Sequence, residues 1–111
     1  MNVDQVPNAI RKVGKRGVLR RIVVGGRHRT VQLQHLTATY QAHEMVGGVL
    51  EGDQKVFIGN TEIVNRSWPG PPIRGDQIFI PQTGKTGTIQ AVETKHLGEE
   101  IAMHILQVRG L

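Results

Sequence analysis

The chain has 111 residues, 38% of them apolar and none of them cysteine, which predicts one packed domain and excludes disulfides and thiolate metal sites. No apolar run is long enough to span a membrane, and Met1 to Val13 lacks the apolar stretch of a signal peptide, so a soluble intracellular protein is expected. The net charge of +5 is unevenly placed: residues 1–35 hold eight basic side chains against Asp4 alone, a net +7, and residues 36–111 hold six basic and eight acidic ones, a net −2. A chain so divided can meet nucleic acid through its basic end, or meet an acidic protein surface.

In chain order, Val3, Val6, Ile10 and Val13 follow helical spacing. Pro7 fits only a first turn, so a helix is predicted from about Val6 to Val13, stopped by Gly14 and Gly17. Val18 to Val24 reads as a strand, and Gly25-Gly26 allows a hairpin turn after it. From Thr30 to Tyr40 the alternation predicts one long strand, with Val31, Leu33, His35, Thr37 and Thr39 on one face. Neither face is cleanly apolar, which suits a strand half-buried in the monomer or covered by a neighbouring subunit. The glycine-rich stretch Ala42 to Asp53 is predicted to be a loop, and Lys55 to Ile58 a short strand.

Residues 59–76 are the least regular, with Trp68-Pro69-Gly70-Pro71-Pro72 as a rigid extended break. Alternation returns at Asp76 to Ile80, at Thr86 to Val92 after the turn residues Gln82 to Lys85, and at Glu100 to Arg109. Three strands on two short turns form an antiparallel meander. The expected fold is therefore mostly β: a small antiparallel β-barrel or sandwich with a C-terminal meander, a long central loop and a short N-terminal helix or arm. Residues 1–17 are assigned to the basic arm and residues 18–111 to a single barrel-like domain.

Motifs for catalysis fail on inspection. Gly84-Lys85-Thr86 lacks the glycine that a phosphate-binding loop needs five positions earlier, where Phe79 stands, and it falls on a hairpin rather than at a helix start. His43-Glu44 opens like a zinc-protease helix, but Gly47 stands where the second histidine belongs. His28, His35, His96 and His104 have no ligand spacing, and even were His96 and His104 paired across strands they would lack a carboxylate or cysteine, so all are expected as ordinary surface or half-buried side chains. Ser67 has no recognisable base, and Asn65-Arg66-Ser67 accepts a glycan only in a secreted protein. No enzyme activity, cofactor or metal is expected. The basic run Arg11, Lys12, Lys15, Arg16, Arg20, Arg21, Arg27 and Arg29 remains, either as a solvated face or as a set of phosphate contacts without base readout. Tyr40, Phe57, Trp68 and Phe79 are scattered in sequence, which counts against single-strand stacking.

Pro72-Ile73-Arg74-Gly75-Asp76-Gln77-Ile78-Phe79-Ile80, then Thr88-Ile89-Gln90-Ala91-Val92, then Ile105-Leu106-Gln107-Val108-Arg109-Gly110, in that order, resemble the end of the small head-to-tail joining proteins of tailed bacteriophages. Ala38-Thr39-Tyr40-Gln41 and Gly52-Asp53-Gln54-Lys55-Val56-Phe57-Ile58 resemble the middle of the same family, so the likeness runs from about residue 37 to 111. The family usually carries an aromatic residue in the second meander strand, where this chain has Gly87 and Thr88. The resemblance implies a head completion or stopper subunit of the virion neck, assembled in the bacterial host cytoplasm, that forms a sixfold or twelvefold ring with itself. A portal or adaptor protein would lie above it, a tail protein below it, and packaged double-stranded DNA in its channel, which the ring helps to retain. Rings of identical subunits need heterologous contacts, expected on the long strand and the glycine-rich loop at Val31, Leu33, Leu36, Tyr40, Met45, Val49 and Leu50. The same meander, through Gly75-Asp76 and Gly84-Lys85-Thr86-Gly87, is also similar to the KOW motif of SH3-like barrels, which implies a ribosomal or transcription-associated RNA-binding module with the basic end on the phosphate backbone.

Overall fold

The computed structural model describes residues 9–10, 12–23, 25–64, 68 and 70–111. Six strands, β1 (Lys15–Arg21), β2 (Arg29–Thr39), β3 (Gln54–Gly59), β4 (Gln77–Ile80), β5 (Lys85–Leu97) and β6 (Glu100–Arg109), close into an antiparallel barrel. Their order around it is β1-β2-β3-β6-β5-β4. The expected barrel or sandwich is thus a barrel, with the meander β4-β5-β6 as predicted and no sheet edge left along the closed part.

Alternation decides which side chains fill it. Leu19 on β1, Val31 and Leu33 on β2, Val56 and Ile58 on β3, Ile78 and Ile80 on β4, Ile89 on β5, and Leu106 and Val108 on β6 form one continuous core. Burying each of these aliphatic side chains contributes about 1.5–3 kcal/mol. The residues between them face out, as Gln32, Gln34 and Phe79 do. A second cluster lies on the outer surface, where Ile10, only 1% exposed, joins Met103 and the half-buried Leu36, Phe57 and Ile105. Residues 9–10 and 12–13 are helical, and the Gly14 amide donates to the Ile10 carbonyl. The start of the predicted helix, at residues 6–8, lies outside the described residues.

Several boundaries differ from the sequence reading. The first strand begins at Lys15 rather than Val18, inside the segment assigned to the arm, and ends at Arg21. The central strand is buried through Val31, Leu33 and His35 within its own barrel and is exposed from Thr37 to Thr39, so an adjoining subunit is not what covers it. The irregular stretch after residue 59 holds a short helix, α1 (Asn60–Val64). Ile63 from α1 and Trp68 beyond it both enter the core and close one end of the barrel, with the Trp68 amide donating to the Ile63 carbonyl at 3.0 Å. One inward residue on a five-residue helix leaves no periodicity to read. The second meander strand reaches Leu97, well past Val92, because β5 and β6 run on as a hairpin beyond the barrel. Gly98, at φ 65°, supplies the left-handed conformation that its two-residue turn requires.

Two histidines expected at the surface or half-buried are interior. His104 is fully buried, with Nδ1 3.0 Å from the Thr94 hydroxyl and Nε2 3.1 Å from Asn60 Oδ1, so it ties the hairpin to the start of α1. Burial lowers its pKa, and nearby His96 adds to that. In register, His104 faces Thr94 and His96 faces Ile101. No group of three metal-ligating side chains occurs among the described residues.

Candidate nucleic-acid and assembly interfaces

The basic run does not act as a unit. Arg11 lies outside the described residues. Arg21 points back into the fold: its Nε and Nη2 each donate to the Asp76 carboxylate at 2.9 Å, Nη2 also reaches the Pro71 carbonyl at 3.1 Å, and the guanidinium sits 5.1 Å from the centre of the Trp68 ring. Asp76 is 1% exposed and also accepts from the Ile73 amide, so Arg21 braces the chain entering β4. The Asp76 hydrogen bond raises the Arg21 pKa further above neutrality. The other six cations, Lys12, Lys15, Arg16, Arg20, Arg27 and Arg29, are exposed. Among the described residues none of the six is in an ion pair with a carboxylate.

Arg16 and Arg20 share one outer face. On β1 they flank the half-buried Val18, about 13 Å apart along the strand. Register places Gln34 beside Arg16, Gln32 beside Val18 and Thr30 beside Arg20 on β2. On the other side Phe79 lies beside Val18 and Gln77 beside Arg20, and β5 continues the two rows with Thr86 and Thr88. Phe79 is 39% exposed. This face joins two arginines, an open aromatic ring and a set of neutral hydrogen-bonding side chains, the composition that holds a phosphate backbone and stacks a base. One acid borders it: Glu62 of α1 lines a groove of about 350 Å³ with Arg16, Gln32 and Gln34. Arg27 and Arg29 belong to the β1–β2 hairpin, and Lys12 to the N-terminal helical residues.

The residues expected at subunit contacts divide as well. Val31 and Leu33 are 7% and 2% exposed and belong to the barrel core, which removes them from any contact surface. Leu36 packs beside Ile10 on the outer wall. Tyr40, Met45, Val49 and Leu50 lie on the loop from β2 to β3, which is braced at several points. A 3-10 turn at Ala42–Glu44 is held by the Gln41 amide donating to Glu44 Oε1 at 2.9 Å. Glu44 also pairs with Lys55, whose ammonium lies 5.3 Å from the centre of the Tyr40 ring. At the far end the buried Asp53 accepts from Arg109 Nε and Nη2 at 2.9 and 3.0 Å, from Gln107 Nε2 at 2.9 Å and from the Leu50 amide at 3.0 Å. Arg109 and Gln107 both also donate to the Gly48 carbonyl at 3.1 Å. The Arg109 guanidinium holds the Asp53 carboxyl well below the usual carboxylate range against the opposing effect of burial, with the Leu50 amide and Gln107 assisting.

That bracing keeps apolar side chains in water. Met45 is 37% exposed, Leu50 53% and Val46, which sequence reasoning passed over, 69%. A second exposed apolar pair, Leu97 and Ile101, caps the β5–β6 hairpin. The loop leaves the barrel where β2 ends and β3 begins, and the hairpin leaves it where β5 ends and β6 begins, so the two patches stand at opposite ends. Alternation from Ile78 and Ile80 already turned Phe79 outward, but only cross-strand register brings it beside Val18, between Arg16 and Arg20. Comparison with family models, with curated proteins and with solved structures finds no match for this chain.

Proposed function

We propose that the chain is a ring-forming connector subunit of a tailed bacteriophage or prophage, joining the portal to the tail and helping to retain packaged DNA. The observation that carries this reading is the pair of unlike apolar patches, the braced loop with Met45, Val46 and Leu50 and the hairpin tip with Leu97 and Ile101, on a barrel whose own core is already filled. Unlike surfaces at opposite ends suit head-to-tail contact between copies or stacking between layers, whereas a self-complementary patch would give a dimer. The face with Arg16 and Arg20 adds an electrostatic contact for duplex DNA that requires no base readout. The ordered likeness of residues 37–111 to head-to-tail joining proteins supports the same reading.

Light scattering and electron microscopy test it. Rings formed by the chain alone, or on addition of portal complexes, are expected; a chain that stays monomeric in both conditions rejects the connector. The arginine face with Phe79 also favours a second reading, an RNA-binding module built as an SH3-like barrel. That reading predicts salt-sensitive RNA binding by a monomer, and no gel shift at low salt eliminates it.

A further inference from the structure

We infer that the open mouth of the barrel at the Lys15 end is a binding site for a small oxyanion, a phosphate or carboxylate group. This end is the one that Ile63 and Trp68 do not close, and it contains a pocket of about 240 Å³. That volume suits an anionic group rather than a whole nucleotide.

Every charged side chain lining it is basic. Lys15 opens β1 on the same side of the strand as Leu19, so its ammonium stands over the barrel interior rather than on the arginine face. Lys85 opens β5 opposite Ile80 and lines the same pocket, with β4 alone between its strand and β1. The hydroxyl of Thr37 and the amide of Gln54 also line it as neutral groups able to donate, while the Thr83 hydroxyl donates to the Ile80 carbonyl at 3.4 Å. No side-chain carboxylate lines the pocket: Asp53, next to Gln54, is already bound by Arg109, and Leu111, which carries the terminal α-carboxylate, lines the pocket with neither lysine in an ion pair to it among the described residues.

The floor supplies an independent observation. His35 is 2% exposed and lines this pocket, and its Nδ1 is buried without a hydrogen-bond partner. Burial lowers its pKa, the Lys15 backbone partly offsets this, and the Lys15 charge adds to the lowering. A polar atom left unsatisfied in a core destabilises the fold, so a well-packed apolar residue would serve the barrel better if packing were the only role. Its Nδ1 and Cε1 lie against Gly17 of β1, below the rim, so the imidazole senses an anion in the pocket as charge: the anion offsets the two ammonium groups and favours the imidazolium form. Two partly hydrated charge-assisted contacts correspond to a Kd on the order of 1 mM.

The test is a heteronuclear NMR titration of the full chain at constant ionic strength, with sodium phosphate in one arm and N-acetylglycine in the other. Saturable shifts of the Thr37, Thr83 and Lys85 amides and of the His35 ring are expected in at least one arm. Saturation by phosphate alone assigns a phosphate group, by N-acetylglycine alone a carboxylate such as a peptide terminus, and by both the shared oxyanion chemistry. The exposed pair Lys15→Gln/Lys85→Gln should weaken binding by about tenfold or more, while the control pair Arg74→Gln/Lys95→Gln, which removes equal charge elsewhere, should not. Non-saturable shifts in both arms up to concentrations on the order of 10 mM, or equal weakening by the two double variants, overturns the site.

Discussion

Asp53 carries more of the local architecture than any other single side chain, because one buried carboxylate gathers Arg109, Gln107 and the Leu50 amide and so fastens the β2–β3 loop to the end of β6. Its pKa is depressed in the folded chain, so the unfolded chain takes up a proton first as the pH falls. The stability this contributes is therefore complete above the ordinary carboxylate range and is lost as pH falls through the folded value. Thermal melts should fall in two stages, first as pH drops through the ordinary imidazole range, where the buried His35 and His104 resist protonation, and again below about pH 5, where Asp53 acts; Asp53→Asn should lower the neutral melting temperature while reducing the second decline alone. Gly87 makes a second residue-scale case. A Cβ there would collide with Val108 Cγ1 and stand 2.9 Å from Leu111 Cγ, so this position of β5 has no room for a larger side chain. Gly87→Ala should cost about 1–3 kcal/mol in urea unfolding, the usual range for overpacking; an unchanged midpoint would show that Val108 and Leu111 yield freely.

Among the elements, α1 is short but structurally costly to disturb. Ile63 is 1% exposed and shares the core with Trp68, so Ile63→Ala should lose about 2–5 kcal/mol by denaturant titration. The β2–β3 loop behaves in the opposite way, since its polar bracing is internal and its apolar side chains face water. Replacing Met45, Val46 and Leu50 by Ser should leave subunit stability within about 0.5 kcal/mol per site, yet abolish rings in electron micrographs if this loop is the subunit contact. Beyond the barrel, the outer edge of β5 from residue 91 to 97 has no neighbouring strand among the described residues, but it carries Glu93 and Lys95, paired at 2.6 Å, and irregular register at Ile89/Ala91 and Lys95/His96. Charge and bulges of this kind blunt an edge against adventitious pairing.

On the scale of the whole molecule, the barrel divides one basic run among three settings. Arg21 is turned inward to Asp76, Lys15 stands at the open mouth, and Arg16 with Arg20 occupies the outer wall beside Phe79. If the outer wall meets DNA, Arg16→Gln/Arg20→Gln should weaken duplex binding similarly across sequences and reduce the salt slope of log K by about 2. Binding isotherms at several salt concentrations measure it, and an unchanged slope would move the contact to Lys12, Arg27 and Arg29.

Sequence by itself determined the β class and the meander, because alternation has a period of two, and Ile78 and Ile80 against Gln77 and Phe79 show it within four residues; on β3 and β6 both parities carry apolar side chains, so only the closed barrel decided which of them face inward. It also determined that charge is concentrated toward one end. Tertiary structure alone decided closure into a barrel, the burial of His35 and His104, the helix at Asn60–Val64 and the division of the basic run. Each of these depends on partners far along the chain, as Arg21 depends on Asp76 and His104 on Asn60, and local pattern carries no record of such pairs. The two candidate surfaces arise in the same way. Arg16, Arg20 and Phe79 become neighbours because β1 lies between β2 and β4, and Lys15 and Lys85 reach one rim because β4 pairs with β1 on one side and with β5 on the other.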